Sequence, residues 1–328
     1  KNDFSYFEKQ LIFFIIGSVL MILISFFDYK ILRNSPYLIL ILYIICLALL
    51  AGTHFFAPSI RGAKSWYRIG FLSLDPIEPA KIVLIILLAK YFSMRHVELY
   101  KFKHIIISGI YILFPAFLVF IRPDLGGTIV LLLIWLGILM ISGIKLKHFL
   151  ILSLCFMLVA GILWQFLLKD YQQARIMAFL LPHSDTLGGN WSQTQTKIAI
   201  GSGQIFGQGI GKDSQVQYGF LPEPHTDFIF SAIAEEWGII GVSVLFLLYL
   251  SLVWRILKIA IESQSNFPRL FAVGFTITLI SQFVINIGMN LSLLPVVGLY
   301  LPLVSYGGSG LIANFISLGI LLSIVMKK

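Results

Sequence analysis

Carboxylates are scarce in this chain, so the places where they occur carry information. In LPEPHTDFIFSAIAEEW, residues 221–237, Glu223, His225, Asp227, Glu235 and Glu236 are set around an apolar stripe. Pro222 and Pro224 hold the chain extended, and Asp227 stands where a helix should begin, pointing towards the preceding loop. A carboxylate at that position can cap the helix and is stabilised by its dipole. An ionised, oriented carboxylate beside a polar loop is also what a general base requires.

Other stretches group residues able to bind or activate a polar substrate. In DPIEPAKI, 75–82, Glu78 and Lys81 lie three residues apart, on one face at a helix start. They form either a local ion pair or a carboxylate and amine that contact substrate. In RPDLGG, 122–127, Arg122 and Asp124 are squeezed between two apolar runs, as a charged tight turn or as a functional pair. KIAIGSGQIFGQGIG, 197–211, opens on Lys197 and has glycines at 201, 203, 207, 209 and 211. Their spacing is neither the dinucleotide fingerprint nor a P-loop. They serve close packing or let backbone N–H groups approach an anion. Ser305 begins SYGGS, 305–309, whose free N–H groups at a helix start form a further candidate anion site.

These residues must be positioned by elements that are almost wholly apolar. The hydrophobic fraction is 58%, charged residues make up 12% and the mean hydropathy is +0.92, far from a soluble domain. Continuous apolar runs read as helices rather than barrel strands, giving an all-α polytopic membrane protein. Nine spans are expected, at 9–27, 38–56, 79–94, 104–121, 126–143, 148–168, 229–254, 269–290 and 308–326. A long loop, 169–228, is expected to be folded or functional. Cys46 and Cys155 each sit inside an apolar run and read as packing residues.

The formal net charge of +9 comes from Lys and Arg in short connectors, so it indicates topology, and no nucleic-acid partner is expected. Connectors bearing Lys30 and Arg33, Lys90 to Lys103, Lys145 and Lys147, and Arg255 to Arg269 should be cytoplasmic, as should the tail, Lys327 and Lys328. The opposite face then holds ten of the fifteen acids, Asp227 among them.

The motifs together resemble the SEDS family (shape, elongation, division and sporulation). They are GAKSW at 62–66, DPIEPAKI, RPDLG at 122–126, KIAIGSG at 197–203, GFLPEPHTDFIF at 219–230 and LPVVGLYLPLVSYGGS at 294–309. DYQQARI at 170–176 and SQVQYGFLPE at 214–223 look more like the RodA branch than the FtsW branch. The resemblance implies one span more than the nine read here, so the chain is expected to lack its first span. It also departs from the usual pattern: the motif commonly Q-P-S-E reads Asp75-Pro76-Ile77-Glu78, Pro79 follows, and Ser65 replaces a common Arg.

The resemblance implies a peptidoglycan glycan-strand polymerase that uses lipid II and releases undecaprenyl diphosphate during elongation. It makes Asp227 the catalytic base, or the group that organises the base and a divalent cation, Mg²⁺ or Mn²⁺. Glu78, Lys81, Arg122, Asp124, Lys197, His225 and Ser305 become substrate-binding candidates. A class B penicillin-binding protein transpeptidase and other elongation-complex membrane proteins are expected partners. The expected setting is the bacterial cytoplasmic membrane, with the site on the extracytoplasmic face and the C-terminus in the cytoplasm. A lipid II flippase or other transporter is the alternative, although the span centres are nearly free of charge. A non-catalytic scaffold for the transpeptidase is the third reading.

Overall fold

The computed structural model describes residues 4–58, 65–69, 72–94, 102–166, 168, 172–173, 176–177, 179, 191–212 and 214–327. Residues 62–64 of GAKSW, Arg95, Lys101 and most of DYQQARI lie outside the described residues.

All nine apolar segments fold as helices. They are α1 (Phe4–Phe26), α3 (Pro36–Phe56), α4 (Ile77–Ser93), α5 (Phe102–Ile121), α6 (Leu125–Ile141), α7 (Leu146–Phe166), α10 (Ile229–Glu262), α11 (Asn266–Asn290) and α12 (Gly308–Met326). Shorter helices are α2 (Tyr29–Asn34), α8 (Trp191–Ser202) and α9 (Ser214–Gln217), and a small antiparallel hairpin pairs β1 (Tyr67–Ile69) with β2 (Leu72–Leu74). Among the described residues, seven helices are long and apolar enough to cross a membrane. The other two, α4 and α6, have 17 residues each, and α4 carries Glu78, Lys81 and Lys90. The chain is thus a helical polytopic membrane protein, in which helices satisfy their own backbone groups.

Local chemistry sets the boundaries. Asp28 caps α2 by accepting from Lys30 N at 2.9 Å, and Pro36 occupies the first turn of α3, where a missing N–H costs little. Helix α10 runs 34 residues, starting at the expected 229 but continuing past 254 to Glu262, and it is two helices joined at Gly238, whose φ of 63° no ordinary helical residue adopts.

The chain forms two compact units: residues 1–143, 251–282 and 302–328 make one, and 144–250 and 283–301 the other. In unit one, α1 packs along α12 around Phe13, Leu311 and Phe315, and Gly17 lets the Phe315 ring lie against the α1 backbone. Polar cross-links join the remaining helices: Tyr43 Oη donates to the Tyr111 carbonyl at 2.9 Å, and Trp135 Nε1 donates to Ser108 Oγ at 3.0 Å. Such bonds hold apolar helices together where no hydrophobic force separates helix from lipid. In unit two, Phe283 of α11 stacks with Phe246 and Tyr249 of α10 at centroid distances of 5.1 and 4.2 Å.

Candidate active site

Unit one gathers a charged cluster from three corners of the fold. The hairpin delivers Asp75 to the start of α4, whose first turns bear Glu78 and Lys81. The turn between α5 and α6 bears Arg122 and Asp124. Lys81 Nζ lies 2.8 Å from Glu78 Oε2, and both side chains are only 6% exposed, so the pair is a buried bridge rather than a solvated helix pair. Arg122 is buried. It reaches Asp75 Oδ1 at 3.3 Å and Asp124 Oδ2 at 4.0 Å, and donates to Thr53 Oγ1 at 3.4 Å.

The sequence pairs Arg122 with Asp124, but its nearer partner is Asp75. Asp124 is committed mainly to capping α6, accepting from Gly127 N at 2.8 Å. Gly127 has no side chain because a Cβ there would come within 2.3 Å of Ile77 Cδ1 and 2.6 Å of Asp124 Oδ2. Burial pushes the Asp75 carboxyl up to about 7, with Arg122 opposing the rise and Asp124 and Glu78 adding to it. Burial also raises Asp124, against the Gly127 N–H and the charges of Arg122 and Lys81. One field therefore couples both ion pairs. A carboxyl titrating near neutrality beside a fixed guanidinium can hold or release a proton at physiological pH.

Unit two positions Asp227. Helix α10 begins at Ile229, and Asp227 lies just before it in a turn closed by Thr226 N and Phe228 N bonding to the Glu223 carbonyl. The Asp227 backbone carbonyl accepts from two fully buried amides, Asn286 Nδ2 at 2.9 Å and Asn290 Nδ2 at 3.0 Å. Asn286 also donates to the Leu299 carbonyl at 2.6 Å, and Asn290 Oδ1 accepts from Ser231 Oγ at 2.6 Å. The turn, the start of α10, the end of α11 and the 291–301 connector are thereby stitched together. The carboxylate borders that connector: a Cβ on Gly298, whose φ is +70°, would stand 3.5 Å from Asp227 Oδ2. His225 is half-buried in the same turn, and Lys197 is exposed on α8.

Backbone at two of the candidate anion sites is engaged in packing. The glycine loop after α8 lies against the Gly238 kink: Gln208 N and Gly209 N donate to the carbonyls of Glu235 and Glu236, and Ile239 N and Ile240 N donate back to Gln204 and Ile205. A Cβ on Gly203 would fall 1.8 Å from the Ala234 carbonyl oxygen, and one on Gly207 2.1 Å from that of Glu236. These N–H groups are committed to protein, not to a ligand. Glu235 is fully buried and accepts from Gln215 N at 3.0 Å. In SYGGS, of unit one, Gln10 of α1 spans the turn, donating to the Ser305 carbonyl and accepting from Gly307 N, each at 3.3 Å. Ser305 is buried there, and Gly308 lies against the Phe13 ring.

Of the expected residues, Glu78, Lys81, Arg122 and Asp124 form one cluster, with Ser305 elsewhere in the same unit; Asp227, His225 and Lys197 belong to unit two. Asp75, Asn286, Asn290 and Ser231 were not expected. An acid just before a helix-starting proline signals the first. The Asn286–Asn290 spacing of four on an apolar helix is the signal for the asparagines, since polar side chains at that depth need partners. Among the described residues no three His, Cys, Asp or Glu side chains gather as a metal site.

A family model described as cell cycle protein, FtsW/RodA/SpoVE, matches residues 1–328. The chain is 39% identical over 327 residues to peptidoglycan glycosyltransferase MrdB of Escherichia coli (strain K12), covering 98% of this chain and 86% of the relative. A solved complex described as structural coordination of polymerization and crosslinking by a peptidoglycan synthase complex contains a chain similar to this one. It matches at TM-score 0.84 and 32% identity, covering 99% of this chain and 90% of its own. The crystal structure of Thermus thermophilus rod shape determining protein RodA matches at TM-score 0.68 and 30% identity, covering 98% and 87%.

Proposed function

The chain belongs to the FtsW/RodA/SpoVE family of cell cycle proteins, and from that membership we propose that it is a peptidoglycan glycosyltransferase. Its substrate is lipid II, and its role is glycan-strand growth during elongation. The 4-hydroxyl of the acceptor sugar attacks the anomeric carbon of the donor as the bond from that carbon to the diphosphate breaks. Configuration inverts, the hydroxyl proton passes to Asp227, and undecaprenyl diphosphate departs with the bonding electrons. A diphosphate is already a competent leaving group, so one base suffices where glycoside hydrolysis also needs an acid.

The observation that carries this reading is the anchoring of Asp227. Two buried asparagines fix its backbone while its carboxylate borders the Gly298 connector. A base must be held to well under an ångström to be effective. Lys197 and His225 are the candidates in the same unit for the substrate's phosphates and sugars. In unit one, Lys81 and Arg122, oriented by Glu78, Asp75 and Asp124, remain candidates for contacts to a polar substrate group. A divalent cation would arrive with the diphosphate and its water rather than in a protein cage, and no step above depends on it.

A class B penicillin-binding protein is the proposed partner, by likeness to the synthase complex. The proposed setting is the cytoplasmic membrane, with Asp227 on the outer face and the C-terminus inside. The test is polymerisation of labelled lipid II by the purified protein. Asp227→Asn and Asp227→Ala should lower glycan synthesis about 10²–10⁴-fold while the melting temperature is kept. Wild-type synthesis by either variant overturns the assignment. Loss of transbilayer lipid II movement with polymerisation intact would favour the flippase reading instead.

A further inference from the structure

In unit one, sharing no lining residue with either charged grouping described above, a cavity of about 620 Å³ opens between the α2–α3 corner, the end of α4 and the start of α11. Its walls come from the connectors whose Lys and Arg content marks the cytoplasmic side. The basic groups are Arg33 and Lys90, joined by the polar side chains of Ser93, Gln264 and Asn266. No carboxylate lines the cavity among the described residues.

Lys90 is half-buried, and its Nζ touches no solvent and has no hydrogen-bond partner among the described residues. Withdrawing a cation from water without a counter-charge is strongly unfavourable, and a bound anion removes the cost. A second feature points the same way. Helix α3 starts at Pro36 in the cavity wall, and its N-cap, Ser35, makes no side-chain cap bond. Pro36 itself has no N–H and the Ser35 N–H bonds to the Ile31 carbonyl, so the uncapped donors of that first turn are the N–H groups of Tyr37 and Leu38.

We propose that this cavity binds a phosphate group, held by Lys90 and Arg33 and backed by the start of α3. Its position where spanning helices end suits the phosphodiester of an anionic phospholipid, which basic pockets between membrane helices recognise. A soluble phosphate shares that chemistry. The site shares no residue with Asp227 or the Arg122 cluster, so it stands or falls apart from the polymerase reading.

The test uses the full chain purified in neutral detergent, with bound lipid counted by native mass spectrometry. Wild type should retain phosphatidylglycerol about tenfold more tightly than phosphatidylcholine, and Lys90→Gln combined with Arg33→Gln should remove that preference. Lys90→Arg should keep it. Displacement of phosphatidylglycerol by millimolar inorganic phosphate supports the site and names the soluble source. Failure of phosphate to displace it supports the lipid. Arg33 is exposed, so Arg33→Gln alone decides the matter if the double variant does not fold. Equal retention of both lipids by wild type, or undiminished phosphatidylglycerol binding by a folded Arg33→Gln or double variant, overturns the proposal.

Discussion

Replacing Asn290 with Asp tests how Asp227 is held, because it changes one atom at the centre of the clamp. The Asn290 Nδ2 amide donates to the carbonyls of Asp227 at 3.0 Å and Asn286 at 2.8 Å, while Oδ1 accepts from Ser231. The aspartate keeps the acceptor and turns the donor into a second acceptor facing two carbonyls. Asn290 is fully buried, so water cannot repair the mismatch. The Asp227 carbonyl still has Asn286, so the loss is about 1–3 kcal/mol of stability for the mismatched group rather than a collapse. The larger effect falls on geometry. A shift of about 1 Å at a catalytic group costs on the order of 100-fold, so kcat for lipid II polymerisation should fall roughly 10–100-fold with KM within about twofold. Product length on gels gives the rate, and scanning fluorimetry in detergent gives the stability. Wild-type kcat in Asn290→Asp, with a lowered melting temperature showing that the clamp was broken, would refute the positioning argument.

The other predictions concern the fold around the two sites. Asp75 has a folded pKa raised from 3.8 to about 7. Its stabilising contribution is complete below about pH 4 and is lost as pH rises to about 7, at up to ~1.4 kcal/mol per pH unit. Wild type should therefore lose melting temperature between pH 5 and 7 relative to Asp75→Asn; parallel curves would remove the assignment. Gly203→Ala forces a Cβ to 1.8 Å from the Ala234 carbonyl, so the loop must detach or α10 must bend. Limited proteolysis should cut the 203–217 segment faster in that variant. Gly201→Ala, where a Cβ meets nothing within 4 Å, should match wild type.

The helical framework could be read from the sequence because apolar length has one structural outcome in a bilayer. What could not be read was which polar groups find each other. Arg122 has Asp124 two residues away, yet Asp75 is the nearer partner, because Asp124 turns back onto the Gly127 N–H to start α6. The spacing of Glu78 and Lys81 gave their pairing correctly, since three residues on a helix bring side chains together whatever surrounds them. Asn286 and Asn290 looked like scattered polar residues on an apolar helix, as their targets are carbonyls 59 to 63 residues away. The glycines at 203 and 207 carried a real ambiguity. An anion nest and a close backbone crossing both require a missing side chain, and only the position of the Gly238 kink distinguishes them. Asp227 was legible as a position, but what anchors it was not.

The contact between the glycine loop and the Gly238 kink is made almost wholly of peptide groups, and Ile205, Phe206 and Ile210 point outwards, more than half exposed. Attachment and outward surface are therefore written in separate alphabets on the same few residues. The outward side chains can be exchanged for others, changing what the loop touches, while the seam that seats it stays as it is. Grafting experiments can use that separation: a foreign side-chain set laid on positions 205, 206 and 210 should seat in the same place as long as Gly203, Gly207 and Gly238 are kept.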